Sequence, residues 1–146
     1  MRPRGTPIGL QLARASKVVG RAFNEALAEV GGSLPVWLIL TTLRGKEHPS
    51  QQQLARAVGI EGPTLTRHLD QLEAAGLVRR VPHPEDRRAV RVEPTEAGLA
   101  LHAHMLEVVV AFNRRLTAGL TQDDLARLRA LLETLEANVR ESSGSL

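Results

Sequence analysis

The stretch from Ser50 to Gly98 constrains the fold of this chain more than any other. It reads SQQQLARAVGIEGPTLTRHLDQLEAAGLVRRVPHPEDRRAVRVEPTEAG. Ser50 and Gln53 form an S-x-x-Q capping box, which opens a short amphipathic helix. Gly59 breaks it inside Val58-Gly59-Ile60. A second helix begins at Glu61 or Gly62, with Pro63 in its first turn, where a missing N–H costs little. Leu65, Leu69 and Leu72 line its inner face. Thr64, Arg67, Asp70 and Gln71 lie opposite, and Gly76 ends it. Leu77 to Val81 and Val90 to Glu93 then read as strands around a polar tip from Pro82 to Arg88. Two helices with a glycine turn, followed by a basic hairpin, are the order of a helix-turn-helix with a wing.

The flanks are helical. A first helix is expected from about Gly9 to Val30, with Leu12, Val19, Phe23, Ala26 and Val30 on one apolar face and Gly31-Gly32 as its stop. Ser33 is placed to cap a second helix. Pro35 sits early in it, and Val36 to Leu43 is nearly all apolar, as befits a central core helix. Gly45 to Pro49 reads as a turn. Thr95 caps a fifth helix from Glu96 to about Gly119, apolar nearly all round from Met105 to Val110. Thr121 with Asp124 caps a sixth, where Leu125, Leu128, Leu132, Leu135 and Val139 form a coiled-coil-like seam. ESSGSL reads as a frayed tail.

The expected class is mainly α with a small β wing: a winged helix-turn-helix with N- and C-terminal dimerisation helices. One domain is expected over residues 1–146. Residues 34–94 would be the DNA-binding lobe, and residues 7–30 and 95–141 the dimerisation helices. A monomer of 146 residues has little else to bury the terminal apolar faces, and a two-fold dimer would cover them. The alternative is that the terminal helices pack on each other within one chain.

Composition narrows the function. Aromatic residues are only 2% of the chain, too few for the stacking surfaces that single-stranded RNA favours. Cys is absent, which excludes disulfides, thiolate metal sites and cysteine-based redox sensing. No run reaches the length of a membrane span, and MRPRGTPIG lacks the apolar core of a signal peptide, so the expected location is cytoplasmic. The net charge is +3, yet the sequence pI is about 10.5, because nearly all basic residues are Arg; Lys17 and Lys46 are the lysines. A GC-rich genome would produce that bias without any function. Local clustering says more: Arg79, Arg80, Arg87, Arg88 and Arg91 fall within thirteen residues, opposed there by Glu85 and Asp86.

Arginine-rich wings and short polar residues at a helix N-terminus fit duplex DNA. The first part of a recognition helix meets base edges in the major groove. Thr64 and Thr66 suit a thymine methyl or a phosphate, and Arg67 can fork onto guanine O6 and N7. His68 and Gln71 stand behind them. Arg88, with Arg87 beside it, can enter the minor groove from the wing tip, where the potential is most negative. Asp86 is expected to hold the Arg88 guanidinium rather than touch DNA. Ser50, Gln52 and Pro63 complete the expected DNA-facing set.

These motifs resemble the multiple-antibiotic-resistance regulator (MarR) family of winged-helix transcription factors. The wing signature D-x-R-A/S-x-x-V/I-x-L-T-x-x-G is matched by Asp86, Arg88, Ala89, Val92, Thr95 and Gly98, with Pro94 in place of the leucine. That replacement falls at the start of the fifth helix. L-A-x-x-x-G-I matches Leu54 to Ile60, and T-x-x-L-x-x-L-E-x-x-G-L-V-R-R matches Thr66 to Arg80. The resemblance implies a homodimer on a palindromic double-stranded operator, often a repressor released by a small aromatic effector. It places effectors between the dimerisation helices and the winged lobe, where Arg14, Phe23 and Trp37 are candidates by position. A lone tryptophan in an apolar helix is otherwise core.

Other classes fit less well. No H-E-x-x-H, G-x-S-x-G or phosphate-cradling glycine loop is present, so no enzyme and no cofactor is expected. His102 and His104 are two apart on a helix and point to opposite sides, so they cannot chelate one ion. His48, His68 and His83 are scattered, and no metal site is assigned. The alternatives are a metal-responsive regulator of the same fold and a winged-helix protein-interaction module, which would carry an acidic or neutral recognition face and a plain wing.

Overall fold

Most of the helices begin where a side chain satisfies one of their unpaired N–H groups. The computed structural model describes residues 5–45 and 49–143, with side chains through Arg140. Residues 46–48 of the expected turn, His48 among them, lie outside that range. So do the side chains of the expected frayed tail, although the helical backbone runs on to Ser143. The described elements are α1 (Ile8–Ala28), α2 (Leu34–Leu43), α3 (Gln51–Val58), α4 (Gly62–Ala74), β1 (Val78–Pro82), β2 (Val90–Pro94), α5 (Glu96–Leu116) and α6 (Gln122–Ser143).

The expected caps are present. Ser33 Oγ accepts the Val36 N–H, and Pro35 follows in the first turn of α2. Ser50 Oγ accepts the Gln53 N–H at 3.2 Å while Gln53 Oε1 accepts the Ser50 N–H at 2.9 Å. Thr121 and Asp124 form the same reciprocal pair, which holds the Asp124 carboxyl below its ordinary pKa. Gly59 takes the left-handed conformation, φ 74°, that turns α3 into α4.

The chain divides between Val110 and Ala111 into two compact units. In the first, Leu27, Ile39, Leu40, Leu43, Leu54, Leu65, Leu69, Val78, Val92 and Met105 are fully enclosed. Leu65 and Leu69 are the anchors that fix the rotation of α4, and truncating either to alanine would cost about 2–5 kcal/mol. The inner face of α1 is centred lower than its periodicity implied. Leu27 is fully buried, whereas Leu12, expected on that face, is 41% exposed. The reason is the tight turn over Glu29–Gly31, where the Gly32 N–H returns to the Leu27 carbonyl and draws the last turn of α1 into the core. Asn24 Oδ1 adds a bond to the Leu34 N–H at 2.9 Å.

The wing is an antiparallel pair with Val78 opposite Pro94, Arg80 opposite Val92 and Pro82 opposite Val90. β1 starts one residue later than its sequence pattern suggested, because the Leu77 N–H is used to close α4 on the Leu72 carbonyl. A third strip was not foreseen. Ser50 bridges Arg91, and the Val92 N–H donates to the Pro49 carbonyl, so the start of α3 is stitched to the wing. Pro94 forms the end of the ladder, and Thr95 caps α5 by accepting the Gly98 N–H while donating to the Gly76 carbonyl. Gly98 is required there: a Cβ would collide with the Leu77 carbonyl.

The second unit contains the end of α5 and α6. Leu125, Leu132 and Leu135 are half-buried, while Leu128 is 46% exposed and Val139 lies on the surface.

Candidate nucleic-acid interface

The start of α3, the first turns of α4 and the wing share one surface. Gln52 joins them. With Ser50 and Gln51 it lines a cleft of about 400 Å³ whose other wall is Asp86, Arg88, Ala89 and Val90. With Gln51, Ala55 and Arg56 it also lines a groove against Gly62 and Thr66. The structure therefore brings Ser50, Gln52, Thr66 and Arg88, far apart in sequence, to adjoining concavities.

The side chains differ in how free they are. Pro63, Thr66, Arg67, Gln71, Arg87 and Arg88 are exposed, and Ser50, Thr64 and His68 are half-buried. No ion pair among the described residues engages Arg67, Arg87 or Arg88. Thr66 is less available than its position implied: its hydroxyl donates to the Gly62 carbonyl at 3.0 Å and accepts from Gln51 Nε2 at 2.6 Å. Its methyl remains for an outside contact, and Gln51 emerges as the residue that locks α3 to α4. Ser50 is likewise occupied by its capping box.

Two expectations for the wing need correction. Asp86 does not hold the Arg88 guanidinium. Its Oδ1 accepts the Arg88 backbone N–H at 3.0 Å, while its own carbonyl accepts the Ala89 N–H. This is an Asx-type turn, in which a short carboxylate reaches the chain two residues on more readily than the end of a long side chain. Asp86 thus supports the wing through its backbone. The basic cluster is also opposed by more than Glu85 and Asp86. Glu93 Oε1 accepts from Arg91 Nη2 at 2.9 Å, and its Oε2 lies 3.7 Å from Arg79. Arg80 is turned back onto α4, 2.7 Å from Asp70. Within the cluster, Arg87 and Arg88 are the exposed arginines that no ion pair among the described residues engages.

Arg56 was missed. It is exposed, and it lies one turn beyond Gln52 on α3, a spacing that places both on one face and could have flagged it.

The three candidate effector residues do not share one setting. Phe23 and Trp37 pack against the buried core. Arg14 is exposed, nine residues from Phe23, or about 13.5 Å of helix. One face of Trp37 is covered by His102, whose ring is parallel within 6° at a centroid distance of 4.8 Å. His102 is buried and His104 exposed, as opposite helix sides require. Among the described residues no group of three or more His, Asp or Glu side chains is gathered for a metal ion. No described helix is long and apolar enough to cross a membrane.

The MarR family profile matches residues 33–90. The transcriptional regulator PA3341 has a solved structure that is 34% identical, with 92% of this chain and 99% of that one covered at a TM-score of 0.79. The chain belongs to the MarR family. Two solved structures of similar fold hold DNA. The transcriptional repressor CouR, bound to a 23-mer duplex, is 30% identical over 89% of this chain and 92% of its own, at a TM-score of 0.83. A mutant MarR from E. coli in complex with operator DNA is 28% identical over 88% and 93%, at 0.82. This MarR-family chain is a transcriptional regulator, and its family is one of DNA-binding proteins rather than enzymes.

Proposed function

We propose that the chain is a homodimeric, sequence-specific repressor that reads a palindromic operator. The observation that carries this is the placement of Arg67 on the start of α4 and Arg88 on the wing, both exposed and without an ionic partner among the described residues, with Gln52 lining a cleft against Arg88 and a groove against Gly62 and Thr66. Arg67, with Thr64, Pro63, His68 and Gln71 near it, reads bases in the major groove. Arg88 and Arg87 enter the minor groove. Gln52, Thr66 and Ser50 border the backbone between them. CouR, bound to a duplex, and a mutant E. coli MarR, in complex with operator DNA, support the reading.

Residues 34–94 act as the DNA lobe, and residues 7–30 and 95–141 dimerise. Support comes from apolar side chains left at the surface: Ile8, Leu10, Leu12 and Val18 on α1, Leu106 and Val110 on α5, Leu128, Leu131 and Val139 on α6. A small aromatic effector that releases DNA is proposed for the region of Trp37 and Phe23, and Trp37, the one tryptophan, reports its binding by fluorescence.

Anisotropy titrations test the core of this reading, using duplexes that flank the gene, a scrambled duplex and single-stranded RNA. A cognate palindrome should bind about 10³-fold or more tighter than the scrambled duplex, with RNA weaker still. Equal affinity for cognate and scrambled duplexes would overturn it.

A further inference from the structure

Arg80 stands on β1, opposite Val92, yet its guanidinium serves the recognition helix. Nη1 lies 2.7 Å from Asp70 Oδ1 and 3.5 Å from Glu73 Oε1. Nη2 donates to the Thr66 carbonyl at 3.2 Å, and the Arg80 backbone N–H donates to Glu73 Oε2 at 2.9 Å. Residues 66, 70 and 73 follow one another at spacings of four and three, so one side chain gathers a whole edge of α4. The Arg80 side chain is 20% exposed and that of Asp70 is 62% exposed. The cation is the enclosed partner and the carboxylate the open one. Asp70 is also exposed and three residues from Arg67, the residue proposed to read bases.

A bare carboxylate in that position opposes binding, because like charges brought together at an interface are costly. We propose that Arg80 is a positioning residue for DNA reading: it masks the charge of Asp70 and clamps α4 to the wing, without itself contacting DNA. A guanidinium is suited to this, since its planar fork presents one nitrogen to Asp70 and the other to the Thr66 carbonyl at a fixed separation, which the single nitrogen of an ammonium does not reproduce. The two DNA-reading elements are thereby held as one body, and the negative charge on the recognition helix is neutralised before DNA arrives. The inference rests on the proposed reading of α4 as the base-reading helix.

A double-mutant cycle on DNA affinity tests it, with Arg80→Gln, Asp70→Asn and the pair. Arg80→Gln should weaken binding to the cognate duplex about tenfold. Asp70→Asn alone should change it by less than about threefold, because the charge is already masked. In the Arg80→Gln background the same Asp70→Asn change should recover most of the loss. Arg80→Met serves if the glutamine variant does not fold; it too removes the cation, so its loss should also be recovered by Asp70→Asn. A strong tightening by Asp70→Asn alone overturns the mask. So does failure of Asp70→Asn to rescue either Arg80 variant, the outcome expected if Arg80 bound phosphate directly. Arg67→Ala is measured alongside. If it binds the cognate duplex as the wild type does, the reading of α4 itself fails; if it is weakened while the rescue fails, only the mask does.

Discussion

The imidazole of His102 on α5 lies flat against the indole of Trp37 on α2, and its Nε2 is 3.2 Å from Thr41 Oγ1. Three side chains thereby join the central core helix to the helix that leaves the winged lobe. Burial lowers the His102 pKa from its ordinary 6.5, and the Arg44 charge lowers it further.

That shift sets a pH dependence. A base whose folded pKa is depressed takes up its proton more readily in the unfolded chain, so stability rises with pH across the window between the two values. The contribution is complete above pH 6.5 and is lost as pH falls toward the folded value. The slope from this one group is at most about 1.4 kcal/mol per pH unit. In chemical unfolding, the wild type should lose stability relative to His102→Phe, which retains a ring against Trp37, as pH falls from 7 to 5. Parallel profiles would mean that His102 does not titrate with folding.

Asp86 acts on the Arg88 backbone, so the carbonyl oxygen of asparagine should replace it. Asp86→Asn is expected to bind DNA at least as tightly as the wild type. Asp86→Ala frees the wing turn and should lose about 1 kcal/mol of binding. Anisotropy on the cognate duplex distinguishes them, and an asparagine variant as weak as the alanine one would restore the ion pair with the Arg88 guanidinium.

Arg67 and Arg88 should divide the work of binding. Arg67→Ala should cost about 1–3 kcal/mol on the cognate site and blunt discrimination at one position per half-site. Arg88→Ala should weaken cognate and scrambled duplexes more nearly alike and make the slope of log affinity against log salt shallower, because it removes a charge that displaces counterions. A salt titration in which Arg88→Ala leaves both affinity and slope unchanged would remove the wing from the interface.

The α6 seam provides the test of dimerisation. Leu128 is 46% exposed within one chain, so a charge there should leave the fold intact. Leu128→Glu is expected to sediment as a helical monomer that has lost at least about tenfold in DNA affinity, since a dimer couples two half-sites. Leu132→Glu, at a half-buried position, should also lose solubility. A Leu128→Glu protein that remains dimeric and binds normally would contradict the proposed interface.

The local grammar of the chain was legible from residues alone. The caps at Ser33, Ser50 and Thr121, the turn at Gly59, the inward Leu65, Leu69 and Leu72, and the two-stranded wing depend on contacts within a few residues, and spacing expresses such contacts directly. The family motifs were legible for the same reason, being runs of adjacent positions. Tertiary structure alone decided which charges stay free. Arg80 and Arg88 are equivalent as letters, yet one is enclosed by Asp70 and Glu73 and the other is exposed, because β1 passes beside α4 and the wing tip does not. The pairing of Pro49 and Ser50 with β2 and the stacking of Trp37 on His102 likewise join positions distant in sequence. No local periodicity encodes such meetings; they follow from how the buried leucines orient each helix against the next.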